Sequence, residues 1–167
     1  MKLNAVFEGG GVKGIALAGA VEEAESRGIT FCHVAGTSSG AIVASMLAAG
    51  YRGRELKEII EQTPFSSFVQ ETWLHKIPWL GAPLRLLVKK GMYAGTALEQ
   101  WIADLLEEKG VITFGDLKPG QLRIIASDIS RSRLLVLPDD LRYYGIDPDR
   151  FPVAKAVRMS ASLPFFF

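Results

Sequence analysis

Two glycine-rich turns, each between an apolar run and a segment rich in small residues, dominate the first 50 residues of the chain. The first turn covers residues 9–14 and follows the run 3–7, and the second covers residues 36–40 and follows the run 31–35. Both runs are short and β-prone, whereas the segments after the turns suit helices that lie close on a sheet. This alternation of strand, glycine turn and helix predicts an α/β fold.

Length and composition narrow the class of protein. The 167 residues, 49% hydrophobic and 22% charged, are typical of one globular domain. A net charge of +1 provides no basic footprint for nucleic acid. Cys32 is the single cysteine, so the chain has neither an internal disulfide nor a two-cysteine metal clip. We expect no nucleic-acid partner, no metal and no cofactor.

The apolar stretches are too short for a secretion signal or a membrane span. The N-terminal stretch stops at Glu8, short of the roughly 7–15 residues of a signal-peptide core. The most apolar stretch, residues 41–49, is far below the roughly 20 residues that cross a bilayer. The sequence therefore predicts a cytoplasmic protein that does not span a membrane but is able to contact one peripherally.

Periodicity and capping residues predict the positions of the other elements. Strands are expected over about 3–7, 31–35, 122–126 and 134–137, and helices over about 14–27, 41–49, 54–62, 96–110 and 152–164. The fourth helix is expected to begin at a capping box formed by Thr96 and Glu99.

Residues 64–92 are rich in aromatic and apolar side chains and are interrupted by proline and glycine. One interpretation is a lid or interfacial segment whose aromatic and basic side chains contact lipid headgroups. The other is a pair of ordinary helices that cover the sheet edge.

The second turn matches the pattern Gly-x-Ser-x-Gly between a strand and a helix, as the nucleophile elbow of a serine hydrolase requires. In this interpretation Ser38 is the nucleophile, and side chains at Gly36 or Gly40 would crowd the neighbouring strand or helix. The N–H of Ser39, at the start of the helix, would face a negative charge forming beside Ser38. A plain glycine-serine turn is the alternative.

Three kinds of binding site use a glycine loop like the first turn. Gly9, Gly11 and Gly14 satisfy the dinucleotide pattern Gly-x-Gly-x-x-Gly, but Ala35-Gly36 stands where that pattern needs an acidic residue. A P-loop needs Lys and then Ser or Thr after the last glycine, where Ile15-Ala16 stands. The remaining interpretation is an oxyanion-binding loop with bare backbone N–H groups and the positive charge of Lys13 nearby.

A reactive serine needs a base, and the chain has only His33 and His75 as histidines. His33 precedes the turn within a strand and is expected to be packed in the sheet. His75 follows the serine in the irregular segment, unlike the final histidine of an α/β-hydrolase. A Ser-His-Asp triad is therefore disfavoured, and a carboxylate base is the other choice.

Five motifs in order along the chain together resemble a bacterial patatin-like phospholipase. They are the glycine loop at 9–14, the serine turn at 36–40, Lys90-Gly91-Met92-Tyr93, Thr113-Phe114-Gly115-Asp116-Leu117 and the C-terminal residues 159–167. The resemblance implies a three-layer α/β/α sandwich with a mainly parallel sheet, and a Ser-Asp dyad that hydrolyses phospholipids or other acyl esters. It assigns Ser38 as nucleophile, and the N–H groups of Gly10, Gly11 and Ser39 to the oxyanion hole.

The chain departs from this family at the partner acid. The family's dyad aspartate lies in an Asp-Gly-Gly or Asp-Gly-Ala motif after the segment that here ends at Phe167, and the chain contains no Asp-Gly pair. Asp116, Asp128 and the acids between 139 and 149 are the candidates within the chain, and Asp128 is expected to stabilise a turn. We expect the sequence to be the N-terminal portion of a longer domain, inactive alone, with apolar surface at 165–167.

Two other functions are compatible with the same residues. A non-catalytic lipid-binding or interaction module would keep the pocket without the dyad. A transacylase would pass the acyl group from Ser38 to an alcohol or thiol instead of water.

Overall fold

The computed structural model describes residues 1–10, 14–63 and 91–162 and, from residue 95 onward in the last range, their side chains. The described elements, in chain order, are β1 (Lys2–Phe7), α1 (Gly14–Ser26), β2 (Thr30–Thr37), α2 (Ser39–Ala49), α3 (Gly53–Gln62), α4 (Gly91–Glu108), β3 (Leu122–Asp128), β4 (Arg133–Leu137) and α5 (Val153–Ala161). Short 3-10 turns occupy Phe114–Asp116, Asp139–Tyr144 and Pro148–Arg150.

The strands form a mixed sheet in the order β1-β2-β3-β4. β1 pairs with β2 and β2 with β3 in parallel, whereas β3 and β4 are antiparallel. Parallel neighbours need a crossover connection, and α1 provides it between β1 and β2 while α2 begins the one between β2 and β3. The prediction of an α/β fold with a mainly parallel sheet is confirmed.

The two faces of the sheet differ in burial. Side chains alternate between the faces of a strand, and one face carries the buried residues Phe7, Val34 and Ile124. On the opposite face, Val6 is 83% exposed and Leu134 is 60% exposed. Within the described ranges, the sheet therefore carries its helical layer on one face, and those ranges leave the other face uncovered.

Helix α2 lies at the centre of the core. Every residue from Ser39 to Met46 is buried, as its apolar surface on all sides predicts. It packs on the sheet and contacts the other helices α1, α3, α4 and α5. The second glycine turn leads directly into this helix, so the turn is anchored to an element that is buried along most of its length.

Two boundary predictions were wrong. β2 continues through Thr37 and α2 begins at Ser39, so the second turn consists of little more than Ser38. α4 begins at Gly91, five residues before the expected capping box. The Glu99 carboxylate, expected in that capping box, accepts a 2.7 Å hydrogen bond from Arg158 of α5. Residues 64–90 of the proposed lid segment lie outside the described residues.

Candidate active site

Ser38 has a backbone conformation that few non-glycine residues adopt. It lies between the last residue of β2 and the first of α2, with φ of 53° and ψ of −124°. A positive φ of this kind costs on the order of 1–3 kcal/mol, and it persists only where the surroundings enforce it. The strand therefore ends and the helix begins within this single residue.

The glycines on either side of Ser38 allow three backbone segments to meet. A Cβ atom on Gly36 would lie 2.2 Å from the carbonyl oxygen of Gly40. A Cβ atom on Gly40 would lie 2.2 Å from the carbonyl oxygen of Phe7, at the end of β1. Both distances are far inside van der Waals contact, so no side chain fits at either position. The crowding that the sequence predicted at these glycines is therefore present.

The N–H of Ser38 is held by a side chain from the far end of the described chain. It donates a 2.8 Å hydrogen bond to Oγ of Ser160, in α5. The Ser160 hydroxyl in turn donates to the carbonyl oxygen of Ile125, in β3. The turn is therefore tied to a helix and to the neighbouring strand through one hydroxyl. Sequence reasoning placed Ser160 on a helix but assigned it no contact with Ser38.

The first glycine loop lies against the serine turn. The N–H of Gly10 donates a 3.1 Å hydrogen bond to Oγ of Ser39. A Cβ atom on Gly9 would lie 3.0 Å from Cβ of Ser38, and one on Gly14 would lie 3.8 Å from Cβ of Ser39. The structure therefore brings the two glycine motifs together. Gly11 and Lys13, the other expected residues of this loop, lie outside the described residues.

Ser39 presents a backbone donor beside Ser38. As the first residue of α2 it has an N–H without an acceptor inside the helix. The N-terminus of this 11-residue helix also carries the positive end of its dipole. Only 8% of Ser39 is exposed, so charge that develops here is shielded from much of the solvent. This arrangement is able to stabilise an anion formed next to the Ser38 hydroxyl.

Neither histidine is placed near Ser38 by the described residues. His33 is five residues earlier on β2, which at about 3.3 Å per residue is roughly 16 Å along the strand. Its Nδ1 lies 3.1 Å from Oδ1 of Asn4, on β1. The prediction that His33 is not poised beside Ser38 is confirmed, but its side chain is exposed rather than packed in the sheet. His75 lies outside the described residues.

Asp128 stabilises a turn, as predicted. Its carboxylate accepts hydrogen bonds from the N–H groups of Ser130 at 3.0 Å and Arg131 at 3.1 Å, and from the Tyr144 hydroxyl at 2.6 Å. These donors, first of all the Tyr144 hydroxyl, hold the pKa of Asp128 below its ordinary range. The carboxylate is therefore a weak proton acceptor whose lone pairs are already engaged.

Two other candidate acids have similar local roles. The Asp116 carboxylate accepts hydrogen bonds from the backbone N–H groups of Thr113 and Ile112, which lower its pKa. The Asp140 carboxylate accepts from the N–H of Val136 at 2.8 Å. Both carboxylates thus organise the backbone around them.

Within the described ranges, no group of His, Cys, Asp and Glu side chains is placed to hold a metal ion. No helix in the described part of the chain is long and apolar enough to cross a bilayer.

Comparison with known proteins gives consistent matches. The family model of patatin-like phospholipases matches residues 5–167. The uncharacterised protein YqhO of Bacillus subtilis strain 168 is 49% identical over 171 residues, which cover 100% of this chain and 57% of YqhO. The uncharacterised protein R571 of Acanthamoeba polyphaga mimivirus is 28% identical over 168 residues, covering 97% of this chain and 52% of R571. The chain thus spans about half the length of these curated relatives.

Solved structures share the fold. ExoU from the type III secretion system of Pseudomonas aeruginosa, in complex with SpcU, matches with a TM-score of 0.62 and 21% identity, over 98% of this chain and 39% of that one. VipD from Legionella pneumophila matches with a TM-score of 0.60 and 18% identity, over 98% of this chain and 43% of that one. At these identities the likeness establishes the fold alone.

Proposed function

The chain belongs to the patatin-like phospholipase family, and from that premise we propose that it forms the nucleophile-bearing part of a serine hydrolase that cleaves carboxylic esters of lipids. The observation that carries the proposal is the conformation of Ser38, with φ of 53° between a parallel strand and a buried helix. Strained backbone of this kind clusters at functional sites. The family gives the substrate class, phospholipids or related acyl esters.

In the proposed reaction, Oγ of Ser38 attacks the carbonyl carbon of the ester. The serine proton passes to a carboxylate base and then to the departing alcohol, leaving an acyl group on Ser38. Water, deprotonated by the same base, attacks this acyl-serine, and the fatty acid leaves as Ser38 recovers its proton. Each addition step places negative charge on the former carbonyl oxygen. Hydrogen-bond donors beside Ser38 would therefore accelerate both the acylation of Ser38 and the hydrolysis of the acyl-serine.

The N–H of Ser39 and the glycine loop are the proposed oxyanion donors. The contact between Gly10 and Oγ of Ser39 holds the loop against the turn, which supports this role. Because the Gly10 N–H is engaged in that bond, we assign it mainly to holding the loop, and Gly11 and Ser39 mainly to the oxyanion. Lys13 would add positive charge to the same loop.

We place the general base outside residues 1–167, in the Asp-Gly segment that the family resemblance implies. Two observations support this placement. The Asp128 carboxylate is engaged by the Tyr144 hydroxyl and by two backbone N–H groups. The chain covers only 57% of YqhO and 52% of R571, so both relatives are nearly twice as long as this chain. The dyad is therefore proposed for the longer protein.

An active-serine probe tests this proposal. The full-length protein is incubated with a fluorophosphonate, and the labelled peptide is identified by mass spectrometry. We expect label on Ser38, none in Ser38→Ala, and unchanged labelling in Ser26→Ala, which removes an exposed hydroxyl that bonds to its own helix. Hydrolysis of p-nitrophenyl esters and of phospholipid vesicles should likewise be lost in Ser38→Ala and unchanged in Ser26→Ala.

The alternative functions give different results in this experiment. A non-catalytic lipid-binding module would bind vesicles without labelling at Ser38. A transacylase would label but would transfer the acyl group to an added alcohol in preference to water. Unchanged ester hydrolysis in Ser38→Ala would reject the nucleophile.

A further inference from the structure

We propose that Ser160 is a positioning residue whose hydroxyl keeps Ser38 out of the β2–β3 hydrogen-bond ladder and so maintains the conformation that the reaction needs. The proposal rests on the proposed function of Ser38 as nucleophile. Ser160 itself would not touch the reacting atoms. It would act through the backbone N–H of Ser38, to which its Oγ is 2.8 Å distant.

The register of the sheet shows what Ser160 replaces. The N–H of Val34 donates to the carbonyl oxygen of Gln121, at 2.8 Å. In a parallel pair the equivalent bond recurs every two residues along both strands. Two such steps place the N–H of Ser38 opposite the carbonyl oxygen of Ile125, and the pairing of Thr37 with Ile125 agrees with this register.

The Ser160 hydroxyl lies between these two groups. A hydroxyl has one proton to donate and lone pairs to accept with, so it accepts from the N–H of Ser38 and donates to the carbonyl of Ile125. It therefore stands where a direct bond between β2 and β3 would otherwise form. A direct bond would favour extended backbone at Ser38, whereas the inserted hydroxyl lets the chain turn at that residue.

A rigid element fixes the position of Ser160. It lies in the last turn of α5, whose earlier residues Val153 and Val157 are fully buried. The ion pair between Arg158 and Glu99, 2.7 Å long, joins α5 to α4. The hydroxyl is thus held by packed helices rather than by a loop, as a group that enforces a strained backbone must be.

The test compares serine-to-alanine variants of the full-length protein. In Ser160→Ala we expect the rate of fluorophosphonate labelling at Ser38 to fall roughly 10- to 100-fold, the effect of a misplaced nucleophile. The loss should appear in kcat for a p-nitrophenyl ester, with KM nearly unchanged. Ser160→Thr retains a hydroxyl and should recover most of the rate. Ser162→Ala is the matched control, because that hydroxyl bonds to the Arg158 carbonyl of its own helix.

A crystal structure of Ser160→Ala provides a readout independent of activity. We expect Ser38 to lose its positive φ and its N–H to approach the carbonyl oxygen of Ile125. Wild-type labelling rates in Ser160→Ala, or equal losses in Ser160→Ala and Ser162→Ala, would overturn the proposal. Absence of label on wild-type Ser38 would reject the proposed function, whereas the backbone of Ser38 in the variant would still decide whether Ser160 holds the turn.

Discussion

Gly36 and Gly40 approach so closely that a Cβ atom on Gly36 would lie 2.2 Å from the Gly40 carbonyl oxygen. The residue between them that carries the strain is Ser38, at φ of 53°. The two glycines are therefore required by the crossing of backbone segments, whatever chemistry the serine performs. The glycines are needed for folding and Ser38 for the proposed reaction, so variants at the glycines test stability and variants at the serine test reactivity.

Alanine at Gly36 or Gly40 should destabilise the protein by about 3 kcal/mol or more, because the new methyl group would overlap backbone atoms that cannot move aside. Gly19→Ala is the control, since no atom lies within 4 Å of a Cβ there and the residue is inside α1. That variant should gain about 0.5–1 kcal/mol. Urea unfolding of the three variants checks this, and equal midpoints for Gly36→Ala and Gly19→Ala would contradict it.

Removal of the Ser39 hydroxyl should separate the glycine loop from the serine turn. Ser39→Ala deletes the acceptor of the Gly10 N–H, which should cost about 1 kcal/mol of stability and slow fluorophosphonate labelling of Ser38. Ser45→Ala is a matched control on the same helix, because that hydroxyl bonds to the Ile42 carbonyl within α2. Labelling at the wild-type rate in Ser39→Ala would show that the loop is held by other contacts.

Asp128 should contribute stability that acid removes. Its pKa is lowered in the folded protein, so the unfolded chain binds the proton first as pH falls. The contribution is present above the ordinary Asp pKa of about 3.9 and is lost as pH falls through the lower folded value. Asp128→Asn should therefore be less stable than wild type at neutral pH, and the difference should shrink towards pH 2.

Thermal unfolding across this pH range measures the effect. Asp104→Asn changes an exposed carboxylate that accepts a hydrogen bond from Gln100 within α4, and it is the control for the general effect of an Asp-to-Asn substitution. Asp128→Asn should also keep the labelling rate of Ser38 at neutral pH, if the residue stabilises a turn and is not the base. Loss of labelling without loss of folding would assign Asp128 to the reaction instead.

The glycine turns and the role of Asp128 were predictable because their determinants are local. A serine between glycines, after an apolar run and before small residues, specifies strand, turn and helix within a few positions. The Asp128 carboxylate likewise accepts hydrogen bonds from the backbone N–H groups of Ser130 and Arg131, which follow it by only two and three residues.

Features that depend on distant partners were not predictable. The pattern Thr96 to Glu99 has the spacing of a helix start, but Glu99 pairs with Arg158, 59 residues away, and the helix extends to Gly91. The bond from Ser38 to Ser160 spans 122 residues. His33 is exposed because the described ranges place no layer on that face of the sheet, which the strand sequence does not reveal.

Tyr51 joins the end of α2 to the end of α4. It is 5% exposed, and its hydroxyl lies 2.7 Å from the Leu105 carbonyl oxygen and 3.1 Å from the Glu108 carboxylate. In a continuing α-helix the Lys109 N–H would bond to the Leu105 carbonyl, but at this helix end it bonds to the Leu106 carbonyl instead. The Tyr51 hydroxyl therefore donates to a Leu105 carbonyl that has lost its usual helical donor. Burial, and then the Glu108 carboxylate, raise the pKa of Tyr51 to about 12.

Tyr51→Phe should cost about 1 kcal/mol at neutral pH, because the hydrogen bond to Leu105 is lost. Above pH 10 the unfolded chain loses the tyrosine proton while the folded chain keeps it, so the wild type should lose stability between pH 10 and 12. The Lys109 ammonium, 4.3 Å above the Tyr51 ring, is present in both proteins, so the difference between them isolates the hydroxyl. Tyr143→Phe, at a residue 70% exposed, is the control. Parallel curves of unfolding free energy against pH for wild type and Tyr51→Phe would contradict the assignment.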